Sequence, residues 1–377
     1  MDRQTIVSYG WIAVFVFTLF VFLAFATPFG KYVGANIVNI GVAIVKSDEA
    51  ATNQEKVDQM SDKFNNSLQN NQLNFESGWL DKTDEEEDDE TDRSMPAYAL
   101  ILESGAGDDT MPMIFVRSET VINAGDTYNS LIYGPKVVKF ACTGFEDSPF
   151  PYSPGSANPT PWKNEIANVT SIRAEQTIQP ISMAGWFVGS QKVSYLDVSN
   201  IDTSRTTDLT CTFYMCGYNK NVTTFTVVGF EKWDTSKVTS MVGTFCGAGY
   251  YSTYFTLNGL KEWDVSSVQS FEAFLASSGY CSKSWMMDLA GWKPTSATSF
   301  NQMFAHAGQS VKERFILTGL ETWDVSSVTN FNRCFYSMGK PVKYNLDVSM
   351  WNVGTVSNKK EIVTAAGGTI LLPAKLK

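Results

Sequence analysis

Apolar and polar positions fall into distinct patterns along the chain. From Trp11 to Ala26 the run WIAVFVFTLFVFLAFA has Thr18 as its only polar side chain. With Ile6 and Val7 it gives about 21 largely apolar residues before Pro28, enough for a helix to cross a hydrocarbon core of roughly 30 Å. The stretch Ala35 to Lys46 (ANIVNIGVAIVK) is apolar enough to continue that helix. Residues 1–46 are therefore expected to form a hydrophobic helix, either a membrane anchor or the core of a filament. Ala24-Phe25-Ala26 also leaves a cleaved signal peptide open, and a buried core helix is the third reading. Val57, Met60, Phe64 and Leu68 then recur at helical spacing in a polar background, which predicts an amphipathic stalk over 47–80.

Strand patterns follow an interruption. Residues 81–93 (DKTDEEEDDETDR) hold nine acidic and two basic side chains. Such a block repels itself and buries nothing, so 81–94 reads as a solvated linker. Tyr98–Leu102, Met113–Val116 and Val137–Phe140 are short β-prone runs separated by the turn signals at Gly105–Asp109 and Ala124–Asp126. They predict a small β-rich region over 95–165, ending in an irregular proline-rich crossover.

An internal repeat occupies most of 166–377. Trp233-Asp-Thr-Ser-Lys-Val, Trp263-Asp-Val-Ser-Ser-Val, Trp292-Lys-Pro-Thr-Ser-Ala, Trp323-Asp-Val-Ser-Ser-Val and Trp351-Asn-Val-Gly-Thr-Val begin 30, 29, 31 and 28 residues apart. Asp234, Asp264 and Asp324 are expected to hold the turn after their tryptophan. Apolar i, i+4 pairs follow: Met241 with Phe245, Phe271 with Leu275, Phe300 with Phe304, and Phe331 with Phe335. That spacing predicts one face of a short helix, with Thr239, Thr298 or Thr329 as its N-cap. Extended pieces such as Phe225–Phe230, Phe255–Leu257 and Phe315–Leu317 supply a strand per unit. The expected fold is an α+β repeat solenoid, strand plus short helix per rung, whose stacked copies share one core. The last unit has Lys359 and Val363 in place of the pair and reads as an atypical cap.

On these motifs the chain resembles the BspA-like leucine-rich-repeat surface proteins, whose repeats read roughly W/L-D-x-S-x-V-T-x-M-x-x-M-F. Trp233-Asp-Thr-Ser-Lys-Val-Thr-Ser-Met241 follows that pattern closely, as does Leu196-Asp-Val-Ser-Asn-Ile-Asp-Thr-Ser204 at the start of the array. Upstream, Glu119–Asn129, Thr143–Glu146, Pro161-Trp162 and Ile178–Phe187 also resemble the group, so the similarity spans about 97–358. It implies a bacterial cell-surface protein used in adhesion, with no enzymatic activity. Departures include Trp292-Lys-Pro, which loses the Asp, and units longer than the usual 25 or so residues.

Composition narrows the chemistry. With 29 Lys+Arg against 39 Asp+Glu the formal net charge is −10. Seven of those ten units sit in 81–93, so the acidic balance marks a spacer rather than a binding face. An acidic, aromatic-rich chain makes a poor nucleic-acid binder, and no nucleic-acid partner is expected. The single histidine, His306, excludes zinc sites with two histidines and leaves one imidazole for any triad; it reads as a helix C-cap. No cofactor and no metal are expected. Six cysteines lack metal-binding spacing. Cys216 and Cys246 fall at nearly matching positions on adjacent rungs, so a disulfide between them is one reading and buried free thiols the other. Tyr250, Tyr251, Tyr254, Tyr280 and Trp285 lie between the repeat motifs and form a candidate binding strip. The expected role is adhesion to a glycan or protein ligand on a host or neighbouring cell, with membrane attachment through the N-terminal helix. The alternative is a pilin-like subunit of a homo-oligomeric filament.

Overall fold

The computed structural model describes residues 94–104 and 110–377. The expected N-terminal helix, stalk and nearly all of the acidic linker lie outside the described residues. Four antiparallel strands open the fold. β1 (Ala97–Leu102) lies between β2 (Pro112–Arg117) and β4 (Gly134–Thr143), and β3 (Thr127–Ser130) pairs with the outer edge of β4. β1 and β2 are buried on both faces. Ala99, Ile101, Met113 and Phe115 enter the main core, while Tyr98, Leu100, Leu102, Ile114 and Val116 form a second, smaller one.

Beyond β2 the direction changes. β5 (Ser171–Ala174), β6 (Tyr195–Asp197), β7 (Thr224–Val228) and β8 (Tyr254–Leu257) add in parallel, completing an eight-stranded sheet that runs through the residue-165 boundary. Each strand returns to the sheet only after a circuit of a repeat length, and such a return makes neighbours parallel. The stacking continues in pairs: β9 (Ser284–Asp288) with β10 (Arg314–Thr318), β11 (Asp324–Val325) with β13 (Asn352–Val353), and β12 (Asn345–Asp347) with β14 (Thr369–Leu371).

The expectation of a short helix in each rung is overturned. Among the described residues there is no α-helix, only strands, turns and brief 3-10 segments. The repeat that begins at Trp263 shows why. Phe271, Ala273, Leu275 and Ser277 donate their N–H groups to Ser299, Asn301, Met303 and Ala305 of the next rung at 2.8–3.0 Å. The intervening Phe274, Ala276 and Ser278 donate back three residues, to Phe271, Ala273 and Leu275. A helix would direct all of these bonds along its own axis; here alternate amides are shared with a neighbour. Left-handed backbone makes this possible at Ala273 (φ 54°) and Ser277 (φ 56°), each at the third position of a turn. The same pair of sites recurs at Gly243 and Gly247, at Gln302 and His306, and at Arg333 and Ser337. Consecutive four-residue turns bring side chains at i and i+4 to one face, as a helical turn does, so the apolar pairing alone could not separate them.

The threonines expected as N-caps act differently. Thr239 and Thr298 donate their hydroxyls to the carbonyls of Thr207 and Gln269 at 3.2 and 3.1 Å, bonding each rung to the one before it.

The core is an aromatic column. Trp233, Trp263, Trp292, Trp323 and Trp351 stack with centroids 5.6, 6.5, 5.8 and 6.2 Å apart and planes within 11° of parallel. Met241, Phe245, Phe271, Leu275, Phe300, Phe304, Phe331 and Phe335 are fully buried against it. Each buried indole removes about 150–250 Å² from water, a gross gain of about 4–6 kcal/mol before entropy. One glycine permits this closeness. At Gly319 (φ 88°) a Cβ would lie 2.1 Å from the Ala290 backbone nitrogen of the preceding rung.

Candidate recognition surface

The turn after each tryptophan is built by its aspartate. Asp234, Asp264 and Asp324 each accept the backbone N–H two residues on, from Ser236, Ser266 and Ser326, at 2.9–3.0 Å. These Asx turns hold the corner. In Asp264 the Ser266 hydroxyl and N–H, with Lys293 nearby, draw the carboxyl pKa below its ordinary value. Groups already committed to the backbone are poor reagents, and no three His, Cys, Asp or Glu side chains gather as metal ligands among the described residues.

His306 caps no helix. It occupies one of the left-handed turn sites (φ 61°), packs edge-on against Tyr336 at 5.1 Å, and shares Nδ1 with the Gln309 side chain.

The cysteine pairing is corrected by register. Met215, not Cys216, bonds to the Cys246 carbonyl, and the residue matching Cys216 in the next rung is the buried Ala248. Cys216 points into the core, where the Ser190 hydroxyl contacts its Sγ at 2.9 Å. All six cysteines are free thiols. Burial pushes the pKa of Cys216 up to about 12 and that of Cys246 to about 11. In a run of turns two residues separate inside from outside, a distinction the approximate sequence match could not make.

The candidate strip divides into separate places. Trp285 is fully buried, stacks on Phe315 at 4.7 Å, and donates Nε1 to the Ser278 hydroxyl at 3.2 Å. The parallel register explains this: it is the counterpart of inward Phe255 and Phe315, not of Tyr254. Tyr250, Tyr251 and Tyr280 form a half-buried cluster with Tyr218. Tyr250 stacks on Tyr280 at 4.4 Å and lies 4.7 Å from both Tyr218 and Tyr251. Burial is the largest influence raising the Tyr250 pKa, followed by the Tyr280 and Tyr218 phenols. Their rings pack on one another, and the Tyr218–Tyr251 and Tyr250–Tyr280 phenols are hydrogen-bonded in pairs. Lys220 lies 5.7 Å from the Tyr251 ring.

Tyr254 belongs to a third place, the outer face of the parallel strands. It is 53% exposed, as is Met286, with Tyr195 and Ile316 at 39% and 37%. Met286 and Ile316 are direct partners across β9 and β10. Thr226, paired with both Tyr195 and Thr256, fills the face between the larger side chains. Lys283 lies 5.3 Å above the Tyr254 ring. Sequence reading missed Tyr195, Tyr218, Met286 and Ile316. Period-2 alternation within Ser284-Trp-Met-Met-Asp288 carried the signal for Met286, since an inward Trp285 forces its neighbour out.

A family profile described as "Mycoplasma protein of unknown function, DUF285" matches residues 214–313 and 309–368. The match covers most of the repeats and is compatible with the BspA-like resemblance. No curated protein and no solved structure matches the chain. No helix among the described residues is long and apolar enough to cross a membrane.

Proposed function

We propose that the repeat region is a non-enzymatic recognition module displayed at the cell surface, used for adhesion to a protein or glycan on another cell. The observation that carries this reading is the outer face of the parallel strands. Tyr195, Tyr254, Met286 and Ile316 stand out on it while nearly every other large apolar side chain of the repeats is spent on the core. Exposed aromatic and methionine side chains are favoured in interfaces, and a stack of repeats offers them on a broad surface. An exposed face that mixes aromatic, methionine and aliphatic side chains suits a protein ligand. Many copies on one cell would add avidity to weak single contacts.

The test is binding of the full-length chain to arrays of glycans and extracellular proteins. Retention on protein spots that falls at least tenfold in the Tyr254→Ala/Met286→Ala variant supports the reading. Retention on glycans alone, or binding unaffected by that variant, moves the ligand elsewhere. Turnover of any arrayed polysaccharide would overturn the non-enzymatic assignment.

A further inference from the structure

The last rung of turns among the described residues differs from the inner ones. In each inner rung of turns, alternate amides reach forward: Phe331, Arg333, Phe335 and Ser337 donate to the carbonyls of Asn358, Lys360, Ile362 and Thr364 at 2.8–2.9 Å. The matching amides of that receiving rung are those of Lys359, Glu361, Val363 and Ala365. Among the described residues none of them has an acceptor. Glu361 (φ 51°) and Ala365 (φ 60°) keep the left-handed geometry, so the row of donors is built as in the inner rungs.

Beside this row runs a groove of about 340 Å³ lined by Val363, Ile370, Leu371 and Leu376, with Lys359 and Lys377 at its rim. Leu371 is 50% exposed. The charge around it is one-sided. From Asn352 to Lys377 the chain carries Lys359, Lys360, Lys375 and Lys377 and one acid, Glu361, whose carboxylate is held by Arg333 at 2.6 Å. Lys359 and Lys375 are committed to backbone carbonyls. Lys360 and Lys377 remain exposed, and among the described residues neither pairs with an acidic side chain.

We propose that this end of the stack docks an extended, acidic peptide segment of a partner protein, which adds as a further rung. Three features select that chemistry together. Unpaired N–H groups at two-residue intervals require carbonyls at the same interval, which an extended or turn-rich backbone supplies. The groove takes the alternate side chains if they are apolar, and the lysines take the others if they are carboxylates. A basic segment would meet like charge at the rim.

The experiment measures binding of a fluorescent peptide of alternating Glu and Val to the full-length chain, with an alternating Lys and Val peptide as control. Amide hydrogen exchange is followed over 355–377. The expected result is saturable binding of the acidic peptide only, slowed exchange at residues 359–365, and affinity at least tenfold weaker in Lys360→Glu/Lys377→Glu. Leu371→Asp provides a second variant, and unchanged melting of both shows that folding is intact. Equal binding of the two peptides, binding unaffected by either variant, or exchange unchanged at 359–365 would overturn the proposal. Self-association of the chain that is lost in the same variants would assign the end to a second copy and overturn it as well.

Discussion

Trp323 and Trp351 stack with centroids 6.2 Å apart and planes 3° from parallel, yet only one of them has a partner for its indole N–H. Trp351 Nε1 donates to the Leu320 carbonyl at 2.6 Å, while Trp323 Nε1 is buried with no acceptor. Along the column Trp233, Trp263 and Trp292 repeat the Trp351 arrangement, donating to Val198, Phe230 and Leu260. The matching acceptor for Trp323 would be Leu289, in the unit that carries Trp292-Lys-Pro. The departure from the repeat motif and the orphaned donor thus fall in the same place.

The contrast gives a paired test. Trp263→Phe removes stacked area and a hydrogen bond, whereas Trp323→Phe removes similar area and no bond. A buried hydrogen bond contributes about 1 kcal/mol net, so the substitution at 263 should cost about 1 kcal/mol more than the one at 323. Denaturant midpoints of the two variants measure the difference. Equal losses would mean that the Trp263–Phe230 bond contributes nothing.

The turn runs make a second prediction. An L-residue in left-handed backbone costs about 1–2 kcal/mol, partly offset by the greater freedom glycine loses on folding. Ala273→Gly should therefore stabilise the protein by about 0.5–1 kcal/mol. The reverse change at the equivalent site, Gly243→Ala, should destabilise it, because the new Cβ would also sit 3.0 Å from Cys211 Sγ. Opposite shifts in melting temperature are expected. A helix at these positions would reverse both signs, since alanine is the better helix former.

The Asx turns tie stability to acid. The pKa of Asp264 is lowered in the folded chain, first by the Ser266 hydroxyl and then by its N–H. A depressed carboxyl favours the folded state above the unfolded pKa of about 3.9, and the contribution is lost as pH falls through the folded value. The carboxylate is largely solvated, so screening keeps the effect small. Asp264→Asn keeps an acceptor for the turn and should flatten the stability profile below pH 4 at little cost near neutrality. An unchanged acid limb in the variant would remove Asp264 from the account.

Much of the repeat was legible because one tryptophan per unit marks the period and must be buried wherever the units stack. The strands were legible for the same reason: Phe255 and Leu257 alternate with solvent-facing neighbours. What sequence could not resolve was the intervening segment, where i, i+4 burial is shared by a helix and by paired turns. Gly243 and Gly247, spaced by four in the unit that begins at Trp233, were the available clue, since two glycines are costly in a helix and favourable in these turns. The surface was harder. Tyr254 and Trp285 are both aromatic and near each other in sequence, and only the register of the parallel strands sends one outward and the other into the core.

The cysteines provide the last prediction. Their pKa values rise because burial penalises the thiolate, most strongly for the fully buried Cys334, and to about 12 for Cys142, Cys211 and Cys216. The thiolate is the nucleophile, so the folded chain should react slowly with iodoacetamide at pH 8, and Cys281, the least buried, should be modified first. The same shifts couple to stability in the opposite direction to Asp264. A raised folded pKa contributes stability below the unfolded value near 9 that is lost as pH climbs towards 12. Unfolded under non-reducing conditions, the chain should release six thiols, including Cys216 and Cys246. Alkylation followed by peptide mass mapping reads both outcomes, and a linked Cys216–Cys246 peptide would contradict the register of these rungs.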